Sequence, residues 1–378
     1  MPILSSWRHV LHQNPELGFE EHRKAAFVAR ELEDCGYEVT TGIAHTGVVG
    51  TLRTGEGPAI GLRADMDALP MEEQSGVAWT SRVPGVFHGC GHDGHTVSLL
   101  AAARQLAETR NFCGTLHVIF QPAEEGLGGG RRMVEEGLFD RFPCEQVFGF
   151  HNMPLMPFGS CSVRPGTAMA SFDEFKVTFA GLGGHAAMPH LTRDCVLALA
   201  ETAVALQGLV SREIDPHAAA VLSVTQIHVG STHNVIADSG WLGGTVRSLD
   251  EGARDVLETG LLRICQGVAS LRDVAVSVDY RRQYPVLGND PAATASVAAV
   301  MAAIFGEGFN ADFPPLLASE DFAYMLERCP GAYLLFGQGR DENSPMVHDP
   351  RYDFDDALIP VIASTLVAIV EQEMPQVF

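Results

Sequence analysis

Three short apolar runs in this chain each stop on a carboxylate or a histidine. Ala59-Ile60-Gly61-Leu62-Arg63-Ala64 leads into Asp65 and Asp67. Leu116 to Phe120 leads into Gln121-Pro122-Ala123-Glu124-Glu125-Gly126, and Val147-Phe148-Gly149-Phe150 leads into His151-Asn152. A predominantly apolar run of this length reads as a strand buried on both faces, the pattern of a parallel sheet covered by helices. Open sheets of that kind build their sites in the loops at the carboxyl ends of their strands. The pattern therefore points to an α/β architecture with its polar chemistry gathered at strand ends.

The densest chemistry lies in Phe87-His88-Gly89-Cys90-Gly91-His92-Asp93-Gly94-His95. In an extended segment Cys90 and His92, two residues apart, point to the same side. A thiolate and an imidazole so placed can reach one metal ion, or one each of an adjacent pair. Read alone, the stretch also fits a buried, inert cysteine beside helix-capping polar groups. Glu124 and Glu125 repel one another when close and desolvated. One can ligate a metal while the other takes a proton; a solvated pair at a turn is the plainer reading. His348, in the polar loop Ser344 to Asp349, is an ordinary loop histidine when taken singly. What favours a metal site is the convergence of Asp67, Cys90, His92, Glu124, Glu125, His151 and His348 on loops after core strands.

Periodicity predicts a helix through Leu32, with Ala25, Val28, Ala29 and Leu32 on one face and Gly36 closing it. Strands are expected near Gly47 to Arg53, Ala59 to Asp65, Thr115 to Gln121 and Gln146 to His151, with a helix over Val97 to Glu108. From about Ser171 the order changes to β-α-β-β-α-β, that of a ferredoxin-like unit. Its parts are Phe172 to Phe179, Arg193 to Ser211, Ala219 to Val229, Trp241 to Ser248, Asp250 to Ser270 and Val274 to Tyr280. The chain then resumes helix, strand, helix over Pro291 to Ile304, Ala332 to Phe336 and Asp356 to Glu371. The expected organisation is a two-domain α/β chain. Residues 1–166 and 282–378 form a discontinuous metal-binding domain, and residues 167–281 are inserted as a lid or dimerisation domain.

The 378 residues suffice for two domains with a large core. A formal net charge of −22 argues against nucleic acid or an anionic membrane as partner. Eight cysteines are scattered without the spacing of a disulfide framework, which predicts reduced thiols and a cytoplasmic location. Met1 to Arg8 carries no apolar signal core, and no run is expected to reach the length of a membrane span.

Taken together, the motifs resemble the M20 metallopeptidase family, in its amidohydrolase branch of hippurate hydrolases, N-acyl-amino-acid amidohydrolases and plant auxin-conjugate hydrolases. The resemblance rests on His12-Gln13-Asn14-Pro15-Glu16-Leu17-Gly18-Phe19-Glu20-Glu21, Leu62 to Pro70, His88 to His95 and Gln121 to Gly126. It continues through His151-Asn152-Met153-Pro154, Gly181 to His190 and Ala318-Ser319-Glu320-Asp321-Phe322. It implies that Cys90, His92, Glu125, His151 and His348 ligate two divalent metal ions, with Glu124 as general base and Asp67 orienting a ligand. Zinc, manganese, cobalt and nickel all suit such donors. Other branches place a bridging aspartate where this one has cysteine and histidine. The resemblance further implies that His185 stabilises an oxyanion, in its own or a partner subunit, and that Asn234 and Arg247 hold a substrate carboxylate. The implied reaction is hydrolysis of small N-acyl amino acids by a homodimer or higher oligomer. A dipeptidase or carboxypeptidase, an N-acetyl-diaminopimelate deacetylase and a catalytically silent ligand-binding homologue stand as alternatives. His190, Ser319, Glu320 and Asp321 are left between structural and substrate-contacting roles.

Overall fold

The computed structural model describes residues 2–376 and divides the chain into two compact units. One comprises the chain up to Gly166, Gly288–Pro314 and the residues from Asp321 onward; the other comprises Thr167–Leu287 and Pro315–Glu320.

A seven-stranded sheet forms the first unit. Its order is Glu38–Ile43, Gly47–Arg53, Thr115–Gln121, Ala59–Asp65, Gln146–Pro157, Gly331–Gly339 and Cys161–Ser162. The middle four strands are parallel. Leu62, Val118, Phe120, Phe148, Phe150, Leu334 and Phe336 on these strands are fully shielded, which is why the segments read as predominantly apolar runs, broken by the buried Arg63 and His117. Helices His92–Thr109 and Leu358–Glu373 supply Val97, Leu99, Leu106, Ile362 and Leu366 to the same core. Register sets Asp65 beside Gln121, so the loops that follow them leave the sheet at one edge.

Three local features depart from expectation. The first helix is two, Pro2–Gln13 and His22–Asp34, because Pro15 disfavours helical backbone at Asn14. Gly36 does close the second: at φ +84° it lets Tyr37 N–H reach Leu32 O and its own N–H reach Glu33 O. Edge strand Glu38–Ile43 was not anticipated, since its only fully buried residue is Ile43 and it shows no clean alternation. The helix expected from Val97 begins at His92, with His92, Asp93, His95 and Thr96 buried in its first turns. Buried polar residues erase the amphipathic signal there.

The second unit follows the order β-α-β-β-α-β: Ser171–Ala180, Cys195–Arg212, Ala220–Val229, Ser239–Ser248, Glu251–Arg272 and Ala275–Tyr284. These four strands pair antiparallel throughout, and Ala220–Val229 lies at one edge. Asp194 and Asp250 start the two helices by accepting backbone N–H groups of Val196 and Ala253 at 2.8 and 2.7 Å. Phe175, Val177 and Phe179 meet Leu199, Leu206, Leu257 and Leu261 in a separate core.

Contrary to the expectation from hydropathy, Cys195–Arg212 and Pro291–Gly308 are long and apolar enough to cross a membrane by length and composition. Each instead commits apolar side chains to a core: Leu199, Leu206 and Leu209 from the first, Val297 and Met301 from the second.

Candidate metal centre

The extended geometry expected for Cys90 to His92 is not what brings these residues together. Gly91 has φ +90°, and His92 opens the helix that follows. A Cβ on residue 91 would lie 2.5 Å from Tyr352 Oη and 2.6 Å from Asn152 Oδ1. Left-handed backbone and close approach both require glycine here. Cys90 and His92 converge through a turn.

Around them the first unit gathers the other candidates. Cys90 Sγ lies 3.3 Å from His151 Nε2, and His348 Nε2 lies 3.2 Å from Glu125 Oε1. Donor atoms of Cys90, His92 and His151 lie within 4.8 Å of one another, as do those of Cys90, Glu125 and His348, and those of His92, Glu124 and Glu125. Cys90 is common to two of these groups and His92 to two. Such sharing suits a pair of adjacent ions better than one.

Hydrogen bonds orient the imidazoles. Asp67 Oδ1 meets His92 Nδ1 at 3.1 Å, and the carbonyl of Asn152 meets His151 Nδ1 at 2.6 Å. With Nδ1 protonated, each ring turns its Nε2 lone pair to the cluster. His92 Nε2 is buried and has no hydrogen-bond partner among the described residues. Asp67 Oδ2 also accepts the N–H of Glu125 at 2.9 Å, so one carboxylate positions two candidate ligands.

The electrostatics of the bare protein are unfavourable to a thiolate. Burial pushes the Cys90 thiol well above its ordinary pKa, and Glu125, Glu124 and Asp65 push it further. Burial holds His151 well below the usual histidine range, with His95 adding to the effect. Burial alone would lower His92, but Asp65 and Asp67 raise it to about 10. Divalent cations reverse this logic, stabilising thiolate and neutral imidazole together. One sulfur, three imidazoles, two carboxylates and an orphaned Nε2 fit a two-ion site.

Sequence reasoning left out most of the residues that hold this cluster. Asp65 Oδ1 takes His95 Nδ1 at 2.6 Å, and His95 Nε2 meets Asn152 Oδ1 at 2.7 Å. His95 is thus fully engaged, although it belongs to the dense histidine stretch. Arg63 is buried and donates to Asp65 and Gln121 at 2.8 Å each and to Asp321 at 3.2 Å. Asp321 accepts Gln121 Nε2 and the N–H of Gly130 at 2.7 Å each, which fixes both ends of the loop bearing Glu124 and Glu125. Glu21 accepts the N–H of Ala123 at 2.8 Å, where the loop turns through φ +54°. His12 contacts Asp93 at 2.8 Å and Glu73 at 3.2 Å; burial opposes its protonation, but these carboxylates raise it to about 9. A pair of aspartates at i and i+2 after a core strand was the available signal for Asp65. Arg63, inside an apolar run, was a second.

The second unit holds the remaining candidates. His185 and Asn234 are exposed neighbours on a short ladder, where His185 pairs with Val235 and Ala186 N–H donates to Asn234 O at 3.0 Å. His190 lies exposed in the adjoining 3-10 turn Pro189–Leu191. Arg247 is half-buried, donates to Ser319 Oγ at 2.6 Å and stacks 4.2 Å from the Phe172 ring. That ladder adjoins the Ser239 end of strand Ser239–Ser248, where Gly181 N–H meets Asp238 O; Arg247 is at the other end. The strand between them spans roughly 26 Å. His185 and Asn234 are brought together; Arg247 is set apart from them.

Comparison with known proteins shows the family to which the chain is similar. The description of Peptidase family M20/M25/M40 matches residues 61–372. Hippurate hydrolase of Campylobacter jejuni is 42% identical over 362 residues, which cover 94% of this chain and 93% of that protein. N-acetyl-L-cysteine deacetylase of Bacillus subtilis is 38% identical over 93% of this chain and 83% of its own length. Among solved structures, YXEP of Bacillus subtilis, described as a dinuclear metal binding peptidase from M20 family, superposes with a TM-score of 0.84 at 30% identity, covering 98% of this chain and 97% of that one.

Proposed function

This chain belongs to peptidase family M20/M25/M40 and is a hydrolytic enzyme, and we propose that it cleaves the amide bond of small N-acyl amino acids of the hippurate type. The observation that carries this reading is the group of buried Cys90 and His92 with half-buried His151, joined through Cys90 to Glu125 and His348. When bound there, two divalent ions polarise the amide carbonyl and acidify water. Cys90, His92, Glu125, His151 and His348 hold them. Asp67 keeps His92 and Glu125 in place. Glu124, 7% exposed at the turn of its loop, accepts the proton of the attacking water and passes it to the leaving amine. Eight free thiols, Cys90 among them, suit a reducing cytoplasm.

Initial-rate hydrolysis of benzoyl-glycine by chelator-stripped protein tests the reading. Glycine release is expected only after manganese, zinc, cobalt or nickel is restored. Absence of release with every metal, alongside turnover of N-acetyl amino acids or free dipeptides, would replace the hippurate-type substrate.

The second unit supports a role for two copies of the chain. His185 and Asn234, as oxyanion and carboxylate contacts, adjoin one end of a strand, and Arg247, as a carboxylate fork, lies at the other. One substrate cannot touch both ends of one unit, so we assign the two groups to different subunits of a homodimer. Edge strand Ala220–Val229 and the exposed Leu197 and Val204 of the adjacent helix suit self-association. Mixing inactive His185→Ala and Arg247→Ala proteins is expected to regain activity, since a hybrid has one site with both groups intact. No regain after subunit exchange would return both residues to one subunit or remove one from the site.

A further inference from the structure

Lys24 is one of two lysines in the chain and is 1% exposed. It lies on helix His22–Asp34 and carries none of the roles above. Its Nζ donates to the carbonyl of Met66 and to His88 Nε2, the latter at 2.7 Å. Met66 separates Asp65, which holds His95, from Asp67, which holds His92 and Glu125. His88 is two residues before Cys90. A single amine thus joins the segment that orients the candidate ligands to the segment that supplies two of them.

We infer that Lys24 is a positioning residue that pins the Asp65–Asp67 and His88–His92 segments to each other, so that Cys90, His92 and Asp67 are arranged before any metal ion binds. The inference rests on the two-metal reading of the site. A buried amine is costly unless its donors are used, and here two of them end on buried acceptors. Since a charged lysine offers only donors, His88 Nε2 accepts and the ring proton sits on Nδ1, which is buried with no hydrogen-bond partner among the described residues. His88 is thereby withdrawn from the ligand set, although it stands in the same nine-residue stretch as Cys90, His92 and His95. Methionine at position 24 would keep the length of the apolar stem but leave Met66 O and His88 Nε2 without their donor. Partners that hydrogen-bond a ligand directly typically contribute about 10–100-fold to metal affinity, and Lys24, one contact further out, is expected to contribute at the lower end of that range.

Cobalt titration of the chelator-stripped full chain tests the inference, with both affinity and the Cys90 thiolate-to-cobalt charge-transfer band recorded. Lys24→Met is expected to bind cobalt about 10-fold more weakly, with an altered band. Lys176→Met, which removes the exposed second lysine, should match wild type. A merely structural lysine would lower the melting temperature and leave affinity and band unchanged, and that result overturns the inference. Should Lys24→Met not fold, hydrogen exchange on the wild type decides. Equal protection of residues 65–67 and 88–92 with and without cobalt supports prearrangement; protection gained only on adding cobalt refutes it. Wild-type protein that binds no cobalt would remove the two-metal reading and this inference with it, whereas wild-type binding matched by Lys24→Met removes this inference alone.

Discussion

Glu124→Gln is expected to bind metal as the wild type does and to lose about 10²–10⁴-fold in kcat toward N-acyl amino acids. The substitution keeps the shape of the side chain and an oxygen for hydrogen bonding, but an amide cannot take a proton. Glu124 shares a group with His92 and Glu125, yet Glu125 is the carboxylate that reaches His348 and whose backbone Asp67 anchors. The two glutamates should therefore separate experimentally. Glu125→Gln is expected to lose bound metal along with activity, while Glu124→Gln loses activity alone. Metal content by elemental analysis beside kcat on the same preparations distinguishes them. Near wild-type turnover in Glu124→Gln would take the general-base role away from it, and metal loss in that variant would make it a ligand.

The parallel centre of the sheet was legible because strands buried on both faces are predominantly apolar, as in Leu116 to Phe120, where only His117 interrupts the run. The candidate ligands were legible because carboxylates and histidines at the ends of such strands stand out against them. Edge strand Glu38–Ile43 was not, since a largely exposed strand carries little hydrophobic signal. Nor was the first turn of the helix at His92, whose buried face is polar and whose start depends on Gly91 adopting φ +90° beside Tyr352 and Asn152. Asp321 and Lys24 illustrate a further limit. Each acts on a segment far away in sequence: Asp321 on Gly130, 191 residues off, and Lys24 on His88, 64 residues off. Residue type at one position says little about which distant backbone it will hold. In the second unit, spacing placed Arg247 and His185 in one domain but could not reveal that a strand's length separates them.

Removing the guanidinium that supports the centre should have the largest effect on stability. Arg63→Leu is expected to cost about 3–5 kcal/mol, because breaking a buried ion pair on one side leaves the other charge uncompensated. Arg63 is fully buried and serves Asp65, Gln121 and Asp321 in three directions, with its guanidinium 5.6 Å from the Phe322 ring. Burial alone would raise the Asp65 carboxyl, but His92, His95 and Arg63 hold it well below the usual range. Leucine retains most of the apolar bulk, so the loss reports chiefly on charge and hydrogen bonding. Arg63→Lys should recover only part of it, since an ammonium cannot reproduce the planar fork that reaches two carboxylates and an amide at once. Urea unfolding of the chelator-stripped proteins measures this directly: the midpoint should fall sharply while the slope is unchanged. An Arg63→Leu midpoint equal to wild type would mean that Asp65 and Asp321 are neutral or otherwise compensated, and Arg63 would then support neither the sheet edge nor the loop bearing Glu124.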